Sequence, residues 1–200
     1  MIWKIFSICL VVMLMTMTAP TAIADTFTRE DLITEPVPSR FTVCYHGTCE
    51  DIAEVNLSTE QWRNIQSVFK DNANPQQERN NIRLAIARLE TMVGKITGTY
   101  VDKAGTFAHL GEEGQLDCID ESTNTTFYLT MMIHDGLIRW HDLEDRETRG
   151  YFLLGWPHTT AVISDRQSGQ KYAVDSWFLD NGEAPYILPL EQWDSGWEPS

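Results

Sequence analysis

Three residues in this chain have the types and spacing for nucleophilic chemistry: Cys118, His158 and Asp175. Cys9 lies in an apolar leader, and Cys44 and Cys49 flank a short Tyr-His-Gly-Thr segment. In an oxidising compartment those two pair with each other, and Cys118 is left over. An odd cysteine in a secreted chain is either an intermolecular link or a thiol kept for chemistry. A metal at Cys44, His46 and Cys49 is the rival for the pair, but no second ligand pair of suitable spacing follows.

A thiol nucleophile needs a base, and the chain offers five histidines. His46 sits in the cysteine loop, His109 in the loop before Cys118, and His141 in a charged segment. His134 is near the far end of the helix that Cys118 opens, over ~20 Å away along a regular helix. His158 opens the apolar run His-Thr-Thr-Ala-Val-Ile and also has a potential orienter. If residues 166–169 form a four-residue hairpin loop, Asp165 pairs with Gln170 and His158 falls opposite Trp177. Asp175 then shares a face with Trp177 and is a diagonal neighbour of His158. The inference depends on register, because a one-residue slip puts the two on opposite faces. Asp180 is the rival for the third position, in a turn-like Asp-Asn-Gly.

The order of cysteine, histidine at a strand start and aspartate on the next strand resembles the transglutaminase-like branch of the papain-type cysteine enzymes. It is most similar to the bacterial transglutaminase-like cysteine proteinases. The resemblance rests on Leu116-Asp117-Cys118-Ile119-Asp120, on His158 to Ile163, and on Ala173-Val174-Asp175. It covers roughly residues 115–181. It implies an α+β papain/transglutaminase-like core with cysteine at a helix N-terminus. It also implies an exported, periplasmic or secreted thiol hydrolase acting on a peptide or amide bond through a thioester. Leu116 stands where the family has glycine, and Ile119 where it has an acidic residue. Some of those proteinases bind calcium. No clear ligand set for it is legible here, so no cofactor is expected and calcium is left open. The backbone N–H of Cys118 is one natural oxyanion donor, and the Gln115 side chain is a candidate second.

Two other functions compete with hydrolysis. One is an exported, non-catalytic binding module on the same fold, with a buried or disulfide-linked Cys118 and with Trp156 and Trp177 lining a peptide or glycan groove. The other is an acyltransferase in which an amine, not water, resolves the thioester. The aromatic cluster Trp177, Phe178, Trp193 and Trp197 reads as core and tail packing.

The elements that must position these residues are legible as patterns. Phe41–Tyr45 and 52–57 read as strands around the cysteine loop. Ser58-Thr59-Glu60-Gln61 has the form of a capping box, opening a helix with Trp62, Ile65 and Phe69 on one face. Asn74-Pro75 starts a second helix with a stripe of Ile82, Ile86, Leu89 and Val93, closed by Gly94. Asp117 is suited to cap a third helix that begins at Cys118 and ends at Gly136. Strands are expected at 137–142, 151–154, 158–164 and 171–178. Helices first and an antiparallel sheet afterwards make an α+β order.

The whole chain sets the remaining bounds. Residues 1–24 read as a secretory signal: Lys4, an apolar run shorter than the roughly 20 residues of a span, and Ala22-Ile23-Ala24 before the cut. An uncleaved anchor is the alternative. Residues 25–40 read as an extended lead-in, and 41–200 as a single transglutaminase-like domain. A net charge of −14 disfavours nucleic acid as a partner, since binding a polyanion requires clustered cations. The expected partner is a peptide or protein substrate, with no stable membrane span after the signal is removed.

Overall fold

The computed structural model describes residues 29–106, 112–150 and 157–200. The signal and its cut, His109, the strand expected at 151–154 and Trp156 lie outside the described residues.

The cysteine loop joins two paired strands, β1 (Phe41–Tyr45) and β2 (Asp51–Val55). Helix α1 (Thr59–Gln66) opens with the expected capping box, the Ser58 side chain accepting from Gln61 N–H and the Gln61 side chain accepting from Ser58 N–H. Helix α2 (Pro75–Thr97) is capped by Asn74, with Pro75 in its first turn. The expectation that Gly94 ends α2 is corrected: the helix continues to Thr97, and Gly98 takes the left-handed C-cap at φ 90°. Gly94 serves packing instead. A Cβ there would lie 2.7 Å from Asn181 Oδ1 and 2.9 Å from the Tyr100 backbone nitrogen.

Helix α3 (Cys118–His134) begins at the candidate nucleophile. Four antiparallel strands follow, β3 (His141–Arg149), β4 (His158–Asp165), β5 (Lys171–Asp175) and β6 (Tyr186–Pro189), adjacent in that order. A short α4 (Leu190–Asp194) closes the chain. The molecule is therefore α+β. Among the described residues, no helix is long and apolar enough to cross a membrane.

One core fills the space between the helices and the inner sheet face. Ile82, Ile86 and Leu89 of α2 and Tyr128, Leu129 and Met132 of α3 meet Ala161, Ile163 and Val174 of the sheet. Strand β4 is buried along its whole length and paired on both sides, which makes it the rigid member of the sheet.

The strand expected at 137–142 is displaced. Residues 137–140 are a connection, held by buried Glu78, which accepts from the N–H groups of Arg139 and Trp140 at 2.8 Å each. The strand instead uses the charged sequence His141–Arg149 at the sheet edge, where pairing with β4 outweighs poor intrinsic preference. Strand β5 stops at Asp175 and not at Phe178, because the Asp175 carboxylate accepts the Trp177 N–H at 3.2 Å and turns the chain.

Candidate active site

The sheet register decides which groups meet. Asp165 N–H donates to Gln170 O at 2.9 Å, and Ala161 pairs with Val174. The expected four-residue loop is therefore present, and extending its register sets His158 opposite Trp177. His158 and Asp175 fall on one face: His158 Nε2 lies 2.7 Å from Asp175 Oδ2, with both residues buried.

Asp175 accepts from three donors. Trp193 Nε1 donates to Oδ2 at 2.6 Å, beside the His158 bond, and Trp177 N–H donates to Oδ1. An indole N–H and a backbone N–H only donate, and the Asp175 carboxylate oxygens accept from both. The proton shared with His158 then sits on Nε2, and Nδ1 carries a lone pair. Buried Nδ1 has no hydrogen-bond partner among the described residues. Rings pack around the imidazole at centroid distances of 4.6 Å (Trp177), 5.3 Å (Phe178) and 5.4 Å (Trp193). They fix its plane and keep water from the His158–Asp175 bond.

Cys118 comes to the same place from the other side of the core. It is the free cysteine among the described residues, 6% exposed, in the first turn of α3. Its Sγ lies 4.0 Å from the Pro157 carbonyl oxygen, and the Thr159 N–H points at it. The thiol is thus set against the backbone on both sides of His158. Burial pushes the thiol up to about 12; the N–H groups of Thr159 and of Cys118 itself work against that, and Asp117 and Asp175 add to it. The resting group is a protonated thiol.

The first turn of α3 carries a reciprocal cap. Asp117 Oδ1 accepts the N–H groups of Ile119 and Asp120, and Asp120 Oδ2 accepts the N–H of Asp117. The expected disulfide between Cys44 and Cys49 is present, and its loop lies against this turn. His46 Nδ1 is bonded to Asp51 and not to a metal-ligand partner set.

Gln115 is buried, and its carboxamide bonds to the 101–106 segment. Nε2 donates to Val101 O, and Oε1 accepts from Lys103 N–H and the Thr106 hydroxyl. Its visible function is to hold the 101–106 segment to the approach to Cys118. Asp180, the rival for the third position, accepts instead from Lys103 Nζ and Ala104 N–H.

No protein-family model, no curated protein and no solved structure matches this chain.

Two features of the site were not legible beforehand. Trp193 was expected only to pack, yet its indole is fully buried and bonded to Asp175. Arg149, at the end of β3, stacks over the Trp193 ring at 4.4 Å and donates to the carbonyls of Trp193 and Trp197. The second feature is a set of buried acids behind the site. Asp102 bonds Glu121 and accepts Leu116 N–H at 2.7 Å, and Glu90 accepts from Ser176 Oγ and Gly182 N–H at 3.0 Å each. Burial raises all three carboxyls, Glu90 to about 8 and Asp102 to about 7, with mutual repulsion adding to the rise at Glu121. These acids tie the chain just before Cys118 to the chain just after Asp175. The signal was present as isolated acids, but nothing in their spacing joined residues 90, 102 and 121.

Proposed function

We propose that this protein is an exported thiol hydrolase of transglutaminase-like type that cleaves a peptide or amide bond. The observation that carries this is the His158 imidazole: Nε2 is bonded to Asp175, which accepts from two further donors, while Nδ1 is buried with no partner among the described residues, and the free Cys118 thiol is set against the Pro157 carbonyl and the Thr159 N–H on either side of His158. An unpartnered ring nitrogen alone does not mark a base, since His46 Nε2 is also buried without one among the described residues; His158 differs in having the free thiol set against the backbone on both sides of it.

In this mechanism His158 Nδ1 takes the proton from Cys118 Sγ as substrate arrives. The thiolate attacks the carbonyl carbon, and the oxyanion is met by the backbone N–H of Cys118 in the first turn of α3. The imidazolium returns its proton to the leaving amine, giving a thioester. Water then attacks with Nδ1 as base, the acid departs and the thiol is restored. Asp175 fixes the tautomer and stabilises the imidazolium. Resolution by water needs no second substrate site, so hydrolysis is favoured over amine transfer. The Cys44–Cys49 disulfide fits an oxidising compartment and supports export.

The test is acylation. Residues 25–200 are incubated with a mixed peptide library and with an activated peptide ester, and thioester and products are followed by mass spectrometry. Acylation confined to Cys118, abolished in Cys118→Ala and slowed about 10²- to 10⁴-fold in His158→Ala, is the expected result. Adding an ordinary primary amine such as a lysine peptide, in competition with water, separates hydrolase from transferase by product mass. A folded protein whose Cys118 no activated ester acylates would sink the enzyme and leave the binding module.

A further inference from the structure

The two carboxylates beside Cys118 pose a chemical problem. Asp117 precedes the thiol and Asp120 lies in its own helical turn, and uncompensated negative charge there opposes a thiolate. The loop closed by the Cys44–Cys49 disulfide supplies the compensation. Four consecutive residues, His46, Gly47, Thr48 and Cys49, have positive φ of 68°, 81°, 48° and 58°. Three of these are not glycine, and the left-handed conformation costs each of them roughly 1–2 kcal/mol. The run turns successive N–H groups to one side, as an anion-binding nest does. Gly47 N–H donates to Asp120 Oδ2 at 2.7 Å, Cys49 N–H to Asp120 Oδ1 at 2.6 Å, and Thr48 N–H to Asp117 Oδ2 at 2.7 Å. A fourth strap, His46 N–H to Gln115 O at 3.1 Å, holds the approach to the helix. Asn124, two turns along α3, exchanges bonds with both backbone groups of Cys44.

We propose that the Cys44–Cys49 loop is a positioning element for the nucleophile, a disulfide-locked nest whose N–H dipoles partly offset the charge on Asp117 and Asp120 and fix the first turn of α3 around Cys118. The inference rests on Cys118 being the nucleophile. The disulfide pins the ends of a run that is unfavourable on its own, and the run in turn supplies three donors to two carboxylates. Without the bridge the non-glycine residues relax to negative φ, the N–H groups turn away, and Asp117 faces the thiol unshielded. Among the described residues, Asp175 is the other carboxylate that acts on Cys118.

The test uses residues 25–200 in four forms: wild type, Cys44→Ala/Cys49→Ala, Asp117→Asn, and the triple variant. Asparagine caps a helix as well as aspartate, so Asp117→Asn keeps the cap through its amide oxygen and removes the charge together with the Thr48 strap, because its NH2 cannot accept the Thr48 N–H. The readout is the rate of Cys118 alkylation by iodoacetamide at pH 8. Loss of the disulfide is expected to slow alkylation about tenfold with Asp117 present and less than about threefold in the Asp117→Asn background. Equal slowing in both backgrounds, no slowing, or acceleration overturns the proposal. If the alanine pair does not fold, wild type and Asp117→Asn are compared after reduction with dithiothreitol, reading the Cys118 peptide by mass. The thiol rate is measured without substrate. Failure of the proposed hydrolase would appear instead as Cys118 that no activated ester acylates with the disulfide intact.

Discussion

Trp193 and His158 share one oxygen. Both donate to Asp175 Oδ2, at 2.6 and 2.7 Å, so the indole and the imidazole fix the carboxylate from two directions. Trp193→Phe keeps the ring and removes the donor. A hydrogen bond to a charged group contributes about 1.5–3 kcal/mol, so the melting temperature falls. The more telling change is in turnover: kcat drops about tenfold with KM little altered, because a looser Asp175 orients His158 less well. Steady-state kinetics and a thermal melt on the same variant check both.

Asp175→Asn probes the tautomer. One amide oxygen is left to accept from three donors, and the amide NH2 competes with His158 Nε2–H. The imidazole is driven to present N–H toward the thiol in place of a lone pair, so activity falls by about 10³- to 10⁴-fold while the protein stays folded. Activity that survives in Asp175→Asn would show that the aspartate does not set the tautomer. Circular dichroism provides the control for folding.

The site was legible where short-range rules act. The Arg166–Gly169 loop fixed one register, and period-two alternation then set His158 and Asp175 on one face. The Asp117 cap and the Cys118 start of α3 followed from the orphan N–H groups of a first turn. The edge strand His141–Arg149 was not legible, because its charged residues form a strand only by pairing with β4. β6 and α4 are too short to show a period, so the indole that completes the site was hidden in what looked like a tail. The nest at residues 46–49 was hidden for a different reason. Backbone donors have no sequence signature, and three of the four residues are types that usually avoid positive φ.

Gly94 offers a test of packing against propensity. Alanine is favoured over glycine inside a helix by about 1 kcal/mol, which alone predicts a more stable protein. The added methyl would meet Asn181 Oδ1 at 2.7 Å and the backbone of Tyr100 at 2.9 and 3.0 Å. Asn181 can swing away, but the Tyr100 backbone is part of the turn that follows α2 and cannot yield without moving Asp102. Gly94→Ala is therefore expected to destabilise by about 1–3 kcal/mol, as overpacking does. Urea denaturation measures the sign, and a stabilised variant would show that the 98–102 turn shifts freely.

The buried acids predict the pH dependence of stability. Glu90 and Asp102 are raised to about 8 and about 7 in the folded protein by burial first, and Asp120 to about 7 by burial and then by Asp117. In the unfolded chain such carboxyls titrate near about 4. Between those values the folded state binds more protons than the unfolded state, so stability falls as pH rises. The contribution is fully present below about pH 4 and is lost as pH passes through about 7 to 8. Other carboxylates run the opposite way at acid pH, Glu78 among them: burial is the largest single effect and raises it, but the bonds from His141, the Arg139 N–H, the Asn72 side chain and the Trp140 N–H together outweigh burial and lower its folded value. The melting temperature is therefore expected to be highest near about pH 5 and to decline towards about pH 8. Glu90→Gln removes one of the titrating charges while its amide oxygen can still accept from Ser176 Oγ or Gly182 N–H. Its melting temperature should decline less steeply over that range than that of the wild type. Parallel declines in the two proteins would mean that Glu90 stays protonated throughout, or ionises at no cost to the fold.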